Sequence, residues 1–279
     1  MNNIEKERID LLLVRKGFFS TREKAQRAIM AGEISVDGTR VDKVGQKFVL
    51  DSTITHLKRK PFYVSRGGEK LAKALDVFSV AIKGKIIIDV GASTGGFTDC
   101  LLRSGAQKVY CVDVGYGQLD WKLRQDSRVI IMDRTNARFL SPDKFNHLFD
   151  LATIDVSFIS LEKILPAIYS ILKEKGEVIA LIKPQFEAGP ELVQKGGVVK
   201  NLETHQLVLQ RVTDFVRKIG FKVRGLTFSP LRGSAGNIEF FIYLLKDNTP
   251  EEKQELPIQI KRVVELAHQN FFKEKDKNN

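Results

Sequence analysis

The sequence predicts an α/β chain in which a Rossmann-like, mostly parallel sheet with an antiparallel last strand follows a small α+β unit. Three observations carry this. Five short apolar runs, KIIIDV, KVYCVDV, RVIIMD, FDLATIDV and GEVIALIKP, are separated by helix-length stretches, the pattern of parallel strands buried on both faces. Two later runs, FKVRGLTFS and NIEFFIYLL, are joined by a loop too short for a crossover helix, which makes them an antiparallel pair at the sheet edge. Ahead of these lies a helix-helix-hairpin pattern, so the 279 residues divide into one domain of ordinary size and a smaller one.

In chain order, RIDLLLVRK reads as a helix closed by Gly17, and STREKAQRAIMA as a second helix closed by Gly32. Ser20 and Glu23 fit a capping box at the start of the second helix. Ala25, Ala28 and Ile29 share one face of it, which turns Arg22, Gln26 and Arg27 outward. ISVDGTRV gives two short strands around an Asp37-Gly38 turn. Lys58-Arg59-Lys60-Pro61 is a basic, proline-marked linker, which sets the expected domains at 1–60 and 61–246. Past the strand that ends at Lys183, an insertion over 187–201, glycine-rich from Gly189 to Gly197, is either a lid or RNA-contacting loop or a solvated connection. The third segment, 247–279, reads as a helix through TPEEKQELPIQIKRVVELAHQNFF and a disordered tip, KEKDKNN.

A net charge of +11 and a pI near 9.5 point to polyanionic partners, because clustered Lys and Arg draw in phosphates and release their counterions. Nucleic acid comes first and an anionic membrane surface second. Through Arg66 the chain holds 14 Lys and Arg against 8 Asp and Glu, so more than half of the excess lies in its first quarter. No apolar run approaches the ~20 residues that span a bilayer, and MNNIEKERID lacks the apolar core of a signal peptide, so the expected location is the cytoplasm. Cys100 and Cys111 lie in apolar segments without ligand spacing, which fits buried thiols and no metal site.

In IIIDVGASTGGFTDCLL, Asp89 stands at a strand end, and Gly91, Gly95 and Gly96 fill the turn before a helix starting near Phe97. Glycines are needed where a ligand approaches the backbone, and the following helix offers free N–H groups. Ala92, Ser93 and Thr94 separate the first glycine from the next pair, which departs from the dinucleotide fingerprint and disfavours a dehydrogenase. Asp113 ends the second strand and Asp133 the third. An acid at the first of these places commonly takes ribose hydroxyls, and one at the second could accept from an exocyclic amine such as adenine's. Each could also simply cap a turn, but the set suits a nucleoside-bearing cofactor.

Four residues carry charge among apolar neighbours: Lys70 after Gly67-Gly68-Glu69, Asp155 after LATI, Lys183 after VIALI, and Glu239 within NIEFFIYLL. A buried Glu239 needs a cation, with Lys183 the expected partner. Taken alone, Lys70 reads as a surface lysine, Asp155 as a turn cap and Glu239 as an edge-strand gatekeeper.

RKGFFSTREKAQRAIMAGEISVDGTRV resembles the RNA-binding module shared with ribosomal small-subunit protein four. This implies RNA contacts from Arg8, Arg15, Lys16, Arg22, Gln26, Arg27 and Arg66. Lys70 in SRGGEKL, Asp155 in TIDVSFIS, Lys183 in LIKPQFEAG and Glu239 in GNIEFFIYL resemble the Lys-Asp-Lys-Glu tetrad of the FtsJ-like ribose 2′-O-methyltransferases. Up to about Leu245 the chain resembles the TlyA family of ribosomal RNA methyltransferases, often labelled hemolysins. The resemblance implies S-adenosylmethionine as cofactor, held by Asp89, Gly91, Ala92, Ser93, Gly95, Gly96, Phe97, Asp113, Asp133 and Asp155. It also implies ribosomal RNA or ribosomal subunits as partner; the protein is expected to be a monomer without metal. Lys183 is then the base, Lys70 and Asp155 orient the ribose hydroxyl, and Glu239 holds Lys183. The rival readings are a non-catalytic RNA-binding assembly factor and a membrane-active cytolysin.

Overall fold

The computed structural model divides into two compact units, 1–62 and 63–279, of which residues 5–30, 32–56, 62–233, 235–247 and 256–272 are described. The basic linker at 58–61 and the KEKDKNN tip lie outside the described residues.

In the first unit, β1 (Lys6–Arg8) leads into α1 (Ile9–Arg15), followed by α2 (Arg22–Met30), β2 (Ile34–Val36), β3 (Thr39–Val41), β4 (Lys47–Val49) and β5 (Ile54–His56). β1 pairs with β4, and β3-β2-β5 form an antiparallel sheet. The two helices bury Ile9, Leu13, Ala25, Ala28 and Ile29 against Ile34, Val36 and Val41. The expected hairpin is present, with Val36 paired to Thr39 across Asp37 (φ 51°) and Gly38 (φ 80°). The expected capping box is not. α2 begins one residue later than Ser20 and Glu23 require, so Thr21 Oγ1 accepts from the Lys24 amide at 3.3 Å and Ser20 Oγ meets Lys24 Nζ at 3.0 Å.

The second unit runs α3 (Arg66–Phe78), β6 (Ile86–Val90), α4 (Gly96–Arg103), β7 (Lys108–Val112), α5 (Trp121–Arg124), β8 (Val129–Met132), β9 (Phe149–Ile154), α6 (Leu165–Ile171), β10 (Leu172–Ile182), α7 (Pro184–Glu187), α8 (Leu202–Lys218), β11 (Phe221–Phe228), β12 (Phe240–Lys246) and α9 (Leu256–Phe272). Seven strands form one sheet in the order β11-β12-β10-β9-β6-β7-β8. β10, β9, β6, β7 and β8 are parallel, whereas β12 runs antiparallel to both its neighbours. The expected antiparallel pair therefore forms, but only β11 is an edge strand. β12 sits inside, so Glu239, the residue just before it, is no edge-strand gatekeeper.

Alternation along these strands supplies apolar side chains to two layers. Ile88, Val90, Ala152, Ile154 and Val178 face α6, α8 and α9, while Ile87, Leu151, Ile179 and Phe241 face α3 and α4. Leu256, Ile260, Val264 and Ala267 place α9 in the first of these cores. The 187–201 insertion is tied down: Asn237 Oδ1 accepts from the Val199 amide at 2.8 Å and its Nδ2 donates to the Gly197 carbonyl at 2.9 Å. Among the described residues, no helix is long and apolar enough to cross a membrane.

Candidate active site

Parallel strands open their C-terminal ends onto one side of the sheet, and ligands bind in the crevice there. Asp113, Asp133, Asp155 and Lys183 each follow directly on such a strand end. Two adjoining cavities lie beside them. One, of about 250 Å³, is lined by Lys70, Gly91, Gly96, Phe97, Asp155 and Lys183, with Arg66 and Arg232 at its rim. The other, of about 450 Å³, is bounded by apolar walls from Val112, Ile159 and Ile164, with Asp113 and Asn136 supplying polar groups. Gly91, Ser93, Asp155 and Ser157 line both.

The turn between β6 and α4 needs its glycines for close approach. Gly91 has φ +81°, and a Cβ there would stand 2.5 Å from the Asp155 carbonyl oxygen. Gly95, at φ +94°, shapes the same turn against Leu119 and Leu123 without lining either cavity. At Gly96, a Cβ would collide with Ser65 and stand 2.9 Å from the Gly68 nitrogen, so this glycine lets the start of α4 sit against the start of α3. Asp113 Oδ2 accepts from the Ser93 amide at 2.8 Å and Oδ1 from the Gly115 amide at 2.7 Å, which fixes its carboxylate at the cavity wall with lone pairs to spare.

Two expected cofactor contacts lie elsewhere. Asp89 is inside β6 rather than at its end, so its side chain points beneath α4 and is fully buried. There it accepts from Thr98 Oγ1 at 2.6 Å and Thr153 Oγ1 at 2.9 Å. Burial pushes its carboxyl up to about 6, against the lowering effect of the two hydroxyls. It supports the glycine turn from below. Asp133 is turned away by a hydrogen bond from the Gly117 amide at 3.0 Å and an ion pair with Arg124 at 3.2 Å.

Lys70, Asp155, Lys183 and Glu239 do come together, but not in the expected pairing. Lys183 Nζ lies 2.6 Å from Asp155 Oδ1 and donates to Ser157 Oγ at 3.0 Å. Glu239, only 3 % exposed, accepts from Lys70 Nζ at 2.5 Å. The β10–β12 ladder ends at Ile182 and Phe240, which frees Lys183 to turn towards β9 and leaves Glu239 to the lysine that α3 brings across. Asp155 Oδ1 has the ammonium nearby but no aligned hydrogen bond, a buried acceptor facing the cavity. Ser157 and Arg232 are parts of the site that sequence reasoning missed. Ser157 was visible only as part of a turn, and Arg232 carried no signal.

In the first unit, Arg8, Arg22 and Gln26 converge on Asp10, whereas Arg27 stays exposed. Gln26, expected to point outward, turns back because its amide donates to that buried carboxylate. Arg15 pairs loosely with Glu7 at 3.4 Å, and Lys16 reaches the Ser52 carbonyl at 3.4 Å. Arg66, in the second unit, donates to the Arg232 carbonyl at 3.2 Å. Burial pushes the Cys100 and Cys111 thiols up to about 11 and about 12, and no acid or base in the site uses them.

A seven-stranded sheet with one antiparallel strand, a glycine turn at the crevice and two adjoining cavities beside it fit an S-adenosylmethionine-dependent methyltransferase. The close backbone approach that Gly91 allows beside Asp155, and the Asp113 carboxylate at the cavity wall, fit that cofactor. The FtsJ-like methyltransferase family matches residues 63–246 and the S4 domain matches 7–51, and the chain belongs to the FtsJ-like, hemolysin A group that combines the two. It is 51 % identical to a candidate rRNA methyltransferase of Bacillus subtilis, YqxC, over 97 % of each chain. It is 41 % identical to the 16S/23S rRNA (cytidine-2′-O)-methyltransferase TlyA of Mycobacterium tuberculosis, covering 85 % of this chain and 89 % of that one. A solved candidate hemolysin from Streptococcus thermophilus is 48 % identical, with a TM-score of 0.78 over 98 % of this chain and 99 % of that one.

Proposed function

We propose that this protein transfers a methyl group from S-adenosylmethionine to a ribose 2′-hydroxyl of ribosomal RNA, using Lys70, Asp155 and Lys183 as catalytic residues and Glu239 as a positioning residue. The observation that carries the reading is the meeting of two lysine-carboxylate pairs at one cavity that adjoins the glycine turn. The names of the relatives point to the same substrate class.

The cofactor supplies an electrophilic methyl group on a sulfonium. The chain must then hold a ribose hydroxyl in line at roughly 3 Å and take its proton as the carbon-oxygen bond forms. Lys183 Nζ is the group placed to receive the proton; Asp155 and Ser157 set its direction. Lys70, restrained by Glu239, is the fixed donor that orients the hydroxyl oxygen. Gly91, Ala92, Ser93, Gly96, Phe97 and Asp113 would hold the cofactor, with the Asp113 carboxylate available to accept from its ribose.

The S4 domain is the RNA-gripping part, with Arg8, Arg15, Lys16, Arg22 and Arg27 for phosphates. Arg66 supplies further positive charge at the catalytic cavity. RNA is selected largely by shape and phosphate placement, which suits a separate basic module. A location in the cytoplasm follows from that substrate. Lys183→Ala should keep cofactor affinity and lose methyl transfer to ribosomal RNA in a tritium assay; unchanged turnover removes Lys183 from the mechanism.

A further inference from the structure

Asp10 is a full charge in the interior of the small N-terminal unit, with no exposed surface. An unpaired carboxylate there would be very costly, so its partners must hold it. Arg8 donates to it twice, from Nε at 3.1 Å and Nη2 at 3.2 Å. Arg22 Nε donates at 2.7 Å and Gln26 Nε2 at 2.9 Å. Burial alone would raise this carboxyl; the donors outweigh it and hold Asp10 well below the usual carboxylate range. The partners come from different elements, β1 and successive turns of α2.

The outer half of the arrangement is what a structural staple does not need. The Arg8 and Arg22 side chains remain 40 % and 50 % exposed. A guanidinium has five N–H donors, of which Arg8 spends two and Arg22 one on Asp10. The unused edges belong to planes already fixed from behind. Anion recognition by arginine depends on that planar fork, and holding it in advance removes the ordering cost of binding.

We infer that Asp10 is a positioning residue for RNA, orienting the Arg8 and Arg22 guanidinium groups for backbone phosphates before RNA arrives. The inference rests on the reading above that these two arginines contact RNA.

Asp10→Asn separates orientation from charge, because the two predict opposite signs. Removing a negative charge makes the surface more positive, so electrostatics alone predicts tighter binding. Lost orientation of two long side chains predicts binding about tenfold weaker, ~1.4 kcal/mol. The assay is full-length protein titrated against refolded total bacterial ribosomal RNA at several salt concentrations, with melting curves to verify folding. Glu23→Gln, which neutralises an exposed acid of α2 away from Asp10, should bind as the parent does or slightly tighter. In an Arg8→Ala/Arg22→Ala background, Asp10→Asn should cost nothing further, an outcome that a purely structural role would not give.

Should Asp10→Asn fail to fold, Arg22→Lys asks the same question by keeping the charge and losing the fork. Several-fold weaker binding supports the inference, and parental affinity overturns it. If Arg8→Ala/Arg22→Ala leaves affinity and its salt dependence unchanged, the RNA-contact reading itself fails. If that pair weakens binding while Asp10→Asn binds as tightly as the parent or tighter, only the positioning role falls.

Discussion

Replacing Glu239 by leucine strands the Lys70 ammonium, and the consequences can be worked from the site. Glu239 is 3 % exposed and the Lys70 side chain 11 %, joined at 2.5 Å. Breaking a buried pair from one side costs about 3–5 kcal/mol, because the remaining charge is uncompensated. Lys70 borders the cavity, so its ammonium can recruit water, which puts the loss near the lower end, about 3 kcal/mol. For a domain of this size that lowers the melting temperature by roughly 6–12 °C. Lys70→Met alone should cost a similar amount by stranding the carboxylate. The double variant Lys70→Met/Glu239→Leu should return to within about 1 kcal/mol of the parent, since an apolar pair of similar volume replaces the ionic one. It should nevertheless transfer no methyl groups. Urea denaturation of the four proteins, with tritium transfer to ribosomal RNA, measures both halves. Simple addition of the two single losses in the double variant would refute the pairing, and retained turnover would refute the role of Lys70.

Two further expectations follow from the same geometry. Gly91→Ala forces a Cβ to 2.5 Å from the Asp155 carbonyl at φ +81°, a strain on the order of 1–3 kcal/mol, and should weaken S-adenosylmethionine at least tenfold in calorimetric titration; parental affinity would detach the turn from the cofactor. His205 of α8 is fully buried and shares a 2.8 Å hydrogen bond with His268 of α9, and burial, with His268 beside it, holds its imidazole down at about 4. The unfolded chain takes that proton near 6.5, so the contribution is complete above about pH 6.5 and is lost as pH falls towards 4, by roughly 3 kcal/mol. Melting curves at pH 7.5 and 5 should therefore diverge less in His205→Phe than in the parent, and an equal divergence would contradict the assignment.

What the sequence made legible follows from the length scale of each signal. The five parallel strands announced themselves because burial on both faces demands unbroken apolar runs, and the β11–β12 pair because its connection is too short for a crossover. The three-residue strands β1, β4 and β5 are too short for periodicity to register and lack the Asp-Gly turn that marks the equally short β2 and β3, so they went unforeseen. Asp89 was misplaced by a single residue of register, enough to move a carboxylate from the crevice to the underside of α4. The four charged residues of the candidate site were legible as isolated charges in apolar company. Their partners were not, because both lysines reach the same crevice and only where the β10–β12 ladder ends decides which acid each one meets.

Locating the transferred methyl group distinguishes ribose from base methylation. Ribosomal RNA from a strain lacking the corresponding enzyme, incubated with this protein and deuteromethyl-labelled S-adenosylmethionine, would be digested to nucleosides and fragmented by mass spectrometry. Ribose methylation by Lys183 puts the label on the ribose fragment, with the base fragment unlabelled and no product from Lys183→Ala. Label on the base, or equal labelling by the Lys183→Ala protein, would contradict it.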